Sequence, residues 1–123
     1  RQQTRLTKDG SRTVINGTFD WVYEEEFDCR DGFRWSPDGA AIAFWQLDCS
    51  GVGEFLMVDN LSDRYAQVVP VQYPQAGTTN SLCRIGVVAA DGKGAPVWMQ
   101  TPGDPRETYL PRMEWHPDGK ELM

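Results

Sequence analysis

The sequence predicts an all-β protein: antiparallel strands forming about two blades of an incomplete β-propeller, with one short acidic helical insertion. Three observations lead there. Twelve glycines and eight prolines are spread through the 123 residues, leaving little room for an amphipathic helix of ~10 residues. Between them lie short β-branched and aromatic runs bounded by turn residues. One strand–turn–strand unit occurs twice, as FRWSPDGAAIAF from Phe33 and MEWHPDGKELM from Met113.

The elements follow from local chemistry. Asp20 is a helix N-cap, and WVYEEEF behind it is the one plausible helix, with acids expected near its positive end. Strands are expected at Phe33–Trp35, Ala41–Leu47, Glu54–Asp59, Tyr65–Val69, Arg84–Ala90, Pro96–Gln100, Leu110–Trp115 and Glu121–Met123. RIGVVAADGKGAPVW reads as a hairpin in which Asp91-Gly92 supplies the positive-φ positions of a tight turn. In each copy of the repeat, proline fixes φ, aspartate closes an Asx turn and glycine takes the left-handed position. Repetition of such a unit is the mark of propeller blades. The two copies stand 80 residues apart, beyond the ~40–50 of a plain blade, so a degenerate blade or a long insertion separates them. Closing a ring takes about four or more blades. The expectation is therefore a partial propeller domain over residues 1–123.

Composition narrows the function. Eighteen acidic against twelve basic residues give a net charge of −6, which argues against nucleic acid and anionic membranes as partners. No apolar run approaches the ~18 residues of a membrane-spanning helix. Cys29, Cys49 and Cys83 leave two readings open, one disulfide with a free thiol or three reduced thiols. The only histidine, His116, sits in a turn remote from them, so zinc is not expected, and no other cofactor is implied. Trp35, Trp45, Trp98 and Trp115 alternate within strands and are expected in the core. Asn16-Gly17-Thr18 and Asn60-Leu61-Ser62 match the N-glycosylation pattern.

DWVYEEEF (Asp20–Phe27) followed by RDGFRWSPDGAAIAFWQLD (Arg30–Asp48) is similar to the dipeptidyl peptidase IV family of prolyl oligopeptidase-like serine exopeptidases. The resemblance continues through YPQAGTTN, RIGVV and PGDPRETYLPRMEWHPDGKEL, covering nearly the whole chain in order. It implies an N-terminal β-propeller that caps an α/β-hydrolase domain in a periplasmic or extracellular enzyme. It also implies that two adjacent glutamates, here Glu25 and Glu26, grip the free amino terminus of peptides with Pro or Ala second. Trp21 and Tyr23 would support them. No GxSxG nucleophile elbow occurs in these residues, and His116 aligns with Ser36 of the first repeat, so the chain alone is expected to be inactive as a peptidase.

The residues themselves carry part of that reading. A run of glutamates is usually a solvated face, but adjacent like charges repel and resist burial. A primary ammonium relieves that repulsion, because two carboxylates can share its three N–H donors. A calcium cluster of Glu24–Glu26 with Asp28 fits no EF-hand spacing. A glycosidase needs carboxylates on opposite sides of a cleft, which neighbours in sequence do not provide. Two hypotheses remain: the substrate-recognition part of a dipeptidyl peptidase, and a free-standing interaction module without enzymatic role. Unpaired strand edges further predict homo-oligomers.

Overall fold

The computed structural model describes residues 3–123. In chain order it forms β1 (Val14–Asn16), α1 (Trp21–Phe27), β2 (Phe33–Trp35), β3 (Ala41–Asp48), β4 (Glu54–Asp59), β5 (Gln67–Gln72), β6 (Leu82–Ala89) and β7 (Val97–Trp98). Every pairing is antiparallel. The main sheet runs β1–β3–β6–β7, with β2 also paired to β3, while β4 and β5 form a separate two-stranded sheet. The architecture is the expected all-β one with one short helix.

β1 and β2 lie on the same edge of β3. Asn16 pairs with Gln46, Phe33 pairs with Phe44, and the gap falls opposite Trp45. There the Gly17 N–H donates to the Trp45 carbonyl (2.9 Å), and the Trp45 N–H donates to the Gly32 carbonyl (3.0 Å). One edge strand is thus interrupted by residues 17–32, and the helix rides on that interruption. The neck is tight. A Cβ on Gly32 would stand 2.5 Å from the carbonyl carbon of Gly17 and 2.5 Å from the nitrogen of Thr18.

Alternation along β3 and β6 divides the sheet into two faces. Ala43, Trp45 and Leu47 join Cys83 and Ile85 in the main core, closed by Tyr23 and Met113. On the other face Ile42, Phe44 and Val88 pack with Leu6 and Trp98. Trp35, expected in the core, is instead 54% exposed, because it stands on that second face at the sheet edge. Trp45 is buried as expected, and Trp98 and Trp115 are half-buried.

The repeat is real in three dimensions. The Ser36 N–H donates to the Ala41 carbonyl (2.9 Å) and the His116 N–H to the Glu121 carbonyl (2.8 Å). Gly39 and Gly119 take φ of 72° and 71°. Asp38 accepts from the Ala40 N–H (3.0 Å) and Asp118 from the Lys120 N–H (2.9 Å). The second copy lies against the first: the Trp115 indole donates to the Arg34 carbonyl (3.0 Å), and Arg34 pairs with Glu114 (3.3 Å).

Other boundaries differ from expectation for definite reasons. β1 went unforeseen because three residues between turns carry no periodicity. The strand expected at Tyr65–Val69 is Gln67–Gln72, since pairing with β4 leaves residues 60–66 in the turn, where Asp59 accepts from the Leu61 and Ser62 N–H groups. The Asp91-Gly92 connection is a wider loop in which Gly92 and Gly94, and not Asp91, take positive φ. Leu110–Trp115 and Glu121–Met123 meet only in a bridge between Trp115 and Leu122, with no third strand paired to either among the described residues. The three cysteines are free thiols. Asn16, in one glycosylation pattern, has its amide held by Asp9 (3.0 Å) and Gln46 (2.7 Å).

Gly32→Ala is expected to cost at least ~2–3 kcal/mol, because backbone on both sides of the neck must move to admit one methyl. Gly53→Ala, where a Cβ meets nothing within 4 Å, is expected to stay within ~0.5 kcal/mol. Urea unfolding of both variants checks this; equal stabilities would show that the neck is slack.

Candidate functional site

The helix is short and tied at both ends. The Asp20 carboxylate accepts from the Tyr23 N–H (3.0 Å) and, through its other oxygen, from the Ser81 hydroxyl (2.6 Å). At the far end Asp28 adopts φ 53°, and the Cys29 N–H returns to the Tyr23 carbonyl (3.0 Å). Seven residues are too few for a helix to hold in water on propensity alone. Packing holds this one.

Tyr23 is the anchor. It is 2% exposed, and its ring lies 5.5 Å from Phe19, 5.5 Å from Phe27 and 6.0 Å from Tyr109. Its hydroxyl accepts from the Leu110 N–H (2.9 Å), while the Trp45 indole donates to the Leu110 carbonyl (2.7 Å). Helix, sheet and the 105–113 segment are therefore fixed at one residue, Leu110, through the peptide groups on either side of it. Burial pushes the Tyr23 phenol well above its ordinary value. Burial likewise pushes the Cys83 thiol up to about 11.

With Tyr23 and Phe27 inward, the 3.6-residue period turns Glu25 and Glu26 outward. Both are exposed, and neither has an ion-pair partner among the described residues. Glu24 differs: it is paired with Arg30, which also approaches Asp28 (3.5 Å). The expected first-turn placement of the acids holds only for Glu24. In so short a helix Glu25 and Glu26 fall in the last turn, where the dipole disfavours them.

The Trp21 ring lies 4.4 Å from that of Tyr73. Together with Glu26, Asn80, Glu107 and Tyr109 these two rings line an open cleft of about 560 Å³. Glu25 is not part of that lining. Sequence reasoning missed Tyr73, Glu107 and Tyr109. Their segments, YPQAGTTN and DPRETYL, are loops, and loop residues carry no periodic signal; only the family resemblance runs through them.

The chain belongs to the family described as dipeptidyl peptidase IV (DPP IV) N-terminal region, whose model matches residues 1–123. Among its relatives, dipeptidyl aminopeptidase B of Saccharomyces cerevisiae is 43% identical over 86 residues, covering 67% of this chain and 10% of that protein. Venom dipeptidyl peptidase 4 of Vespa velutina is 38% identical over 91 residues, covering 68% and 12%. The crystal structure of Porphyromonas gingivalis dipeptidyl peptidase 4 superposes with a TM-score of 0.85 at 34% identity, over 97% of this chain and 17% of that one. The chain thus spans between a tenth and a sixth of the length of these relatives.

The raised Cys83 thiol makes stability depend on pH with a definite sign. The unfolded thiol titrates near its ordinary 9.0, so the unfolded chain releases its proton first as pH rises. The contribution is fully present below pH 9 and disappears between pH 9 and about 11, amounting to about 2–3 kcal/mol. Tyr23 and Cys49, also shifted upward by burial, extend the loss in the same direction. Denaturant midpoints from pH 8 to 11 should fall for the natural chain and fall less steeply for Cys83→Ala. Parallel curves would show that Cys83 is not the titrating group.

Proposed function

We propose that the chain is the peptide-N-terminus-recognition portion of a dipeptidyl peptidase IV-type serine exopeptidase. Glu25 and Glu26 hold the α-ammonium of the substrate, and Trp21 and Tyr23 keep their helix in place. The cleaving nucleophile belongs to an α/β-hydrolase domain that this propeller region caps. Substrates are peptides with Pro or Ala second, and the setting is periplasmic or extracellular, in keeping with the venom enzymes among the relatives.

One observation carries the reading: two adjacent carboxylates have no ion-pair partner among the described residues, on a helix tied at Asp20 and Tyr23. An ammonium ion supplies the missing charge, and its three N–H donors match two carboxylates. Glu24 is excluded from the role because Arg30 already neutralises it.

In a polypeptide joining this chain to its hydrolase domain, Glu25→Gln and Glu26→Gln should each lower kcat/KM for free-amine Xaa-Pro substrates by roughly 10²–10³-fold. The estimate follows from ~3–5 kcal/mol for breaking a desolvated ion pair. Glu24→Gln should change it less than about 5-fold, as befits an exposed surface pair. Equal small effects at all three positions would mean that the run is a solvated face.

The proposal extends to assembly. The β4–β5 hairpin exposes Phe55, Leu56, Met57, Val58, Val68 and Val69, and a lone two-stranded ribbon is marginal in water. We propose that open edges and this hairpin draw copies of the chain into dimers or larger species. Light scattering at high micromolar concentration should show them; a sharp monomer would refute this.

A further inference from the structure

We propose that Glu107 makes the cleft select peptides whose first residue has a cationic side chain. The inference rests on the reading of Glu26 as an anchor for the peptide amine. Glu26 and Glu107 line the cleft from different segments, the helix and the 105–113 stretch, and no basic residue is among the described residues that line it. Neither side chain has a hydrogen-bond or ion-pair partner among the described residues.

The cation next to Glu107 in sequence, Arg106, is engaged elsewhere: its guanidinium donates to the Asn80 carbonyl (2.7 Å). The loop is held in shape: Asp104 accepts from the Arg106 N–H (2.9 Å), and the Glu107 N–H donates to the Asp104 carbonyl (3.0 Å). Three residues later Leu110 is gripped by Tyr23 and Trp45. Glu107 is therefore a carboxylate on a fixed wall.

An amine and a side-chain cation on one residue suit two carboxylates on separate walls of one cleft. Glu26 takes the α-ammonium, and Glu107 takes the head group of a first-position Arg or Lys. The rings of Trp21, Tyr73 and Tyr109 offer faces on which a guanidinium stacks, which favours Arg over Lys. Because the cleft is open, the added attraction is that of an exposed pair with an aromatic contact, giving a preference of roughly 5- to 10-fold that weakens with salt.

The test uses a polypeptide joining this chain to its hydrolase domain, with the nucleophile replaced by alanine, and two dipeptide probes, Arg-Pro amide and norleucine-Pro amide, whose affinities are read by titration calorimetry. Arg-Pro amide should bind 5- to 10-fold more tightly, Glu107→Gln should bring that ratio close to one, and norleucine-Pro amide should be unaffected by the substitution. Equal affinities for the two probes in the natural chain, no binding of Arg-Pro amide up to tens of millimolar, or an unchanged ratio in Glu107→Gln would each overturn the proposal. Glu26→Gln should weaken both probes alike. If it weakens neither while Glu107→Gln still abolishes the ratio, the amine-anchor reading fails and the role of Glu107 stands.

Discussion

Gly17 and Gly32 meet across the backbone of Trp45, and the whole acidic insertion hangs from that contact. β3 runs on unbroken while its edge partner opens, sends out residues 17–32 and closes again one rung later. Loop-closure entropy grows only slowly with length, so an insertion of this size is tolerable provided its two ends can meet. What they require is room, and any side chain at Gly32 would occupy it. The sheet thus gives the helix a fixed root without spending a strand on it.

From that root the helix is aimed by its aromatic face. Phe19, Tyr23 and Phe27 stack inward beside Trp45, and the polar ends of Tyr23 and Trp45 converge on Leu110, one on each side of its peptide groups. Buried Tyr and Trp each need a partner for their polar atom, and here one residue's backbone serves both. The consequence reaches the site: the same residue that satisfies the core fixes the segment bearing Glu107 and Tyr109. Core packing and cleft geometry are therefore one problem, and a change at Tyr23 would disturb both walls of the cleft together.

Legibility in the sequence tracked the range of the interactions. The helix was readable to the residue, because its cap, its aromatic spacing and its acidic run are all local. Both Pro-Asp-Gly turns were readable for the same reason, and the structure reproduces their bonds copy for copy. β1 was not, since Val14–Asn16 becomes a strand only through Leu47 and its neighbours some thirty residues on. Trp35 was misjudged because a strand pattern shows which residues share a face, not whether anything covers that face. Glu25 and Glu26 were legible as a pair, whereas the cleft beside them was not: it is assembled from loops at Tyr73 and Glu107 that meet the helix only in the fold.

The placement of the two glutamates is costly in three separate ways. They are adjacent like charges, they lie in the last turn of a helix whose dipole disfavours anions there by ~0.3–1 kcal/mol, and no basic residue stands in that turn. Arg30 could have answered one of them but is bound to Glu24 and Asp28 instead. A solvated surface gains nothing from such an arrangement, since one Lys or Gln in place of either acid would relieve it. Local rules broken together on an otherwise consistent scaffold mark a site where something other than stability set the residues. In the proposed role, an ammonium would offset all three penalties at once: it bridges and screens the like charges, answers the anions at the helix end and fills the missing cationic position. On the function proposed above, relief of these local costs would contribute to the binding of a charged peptide terminus.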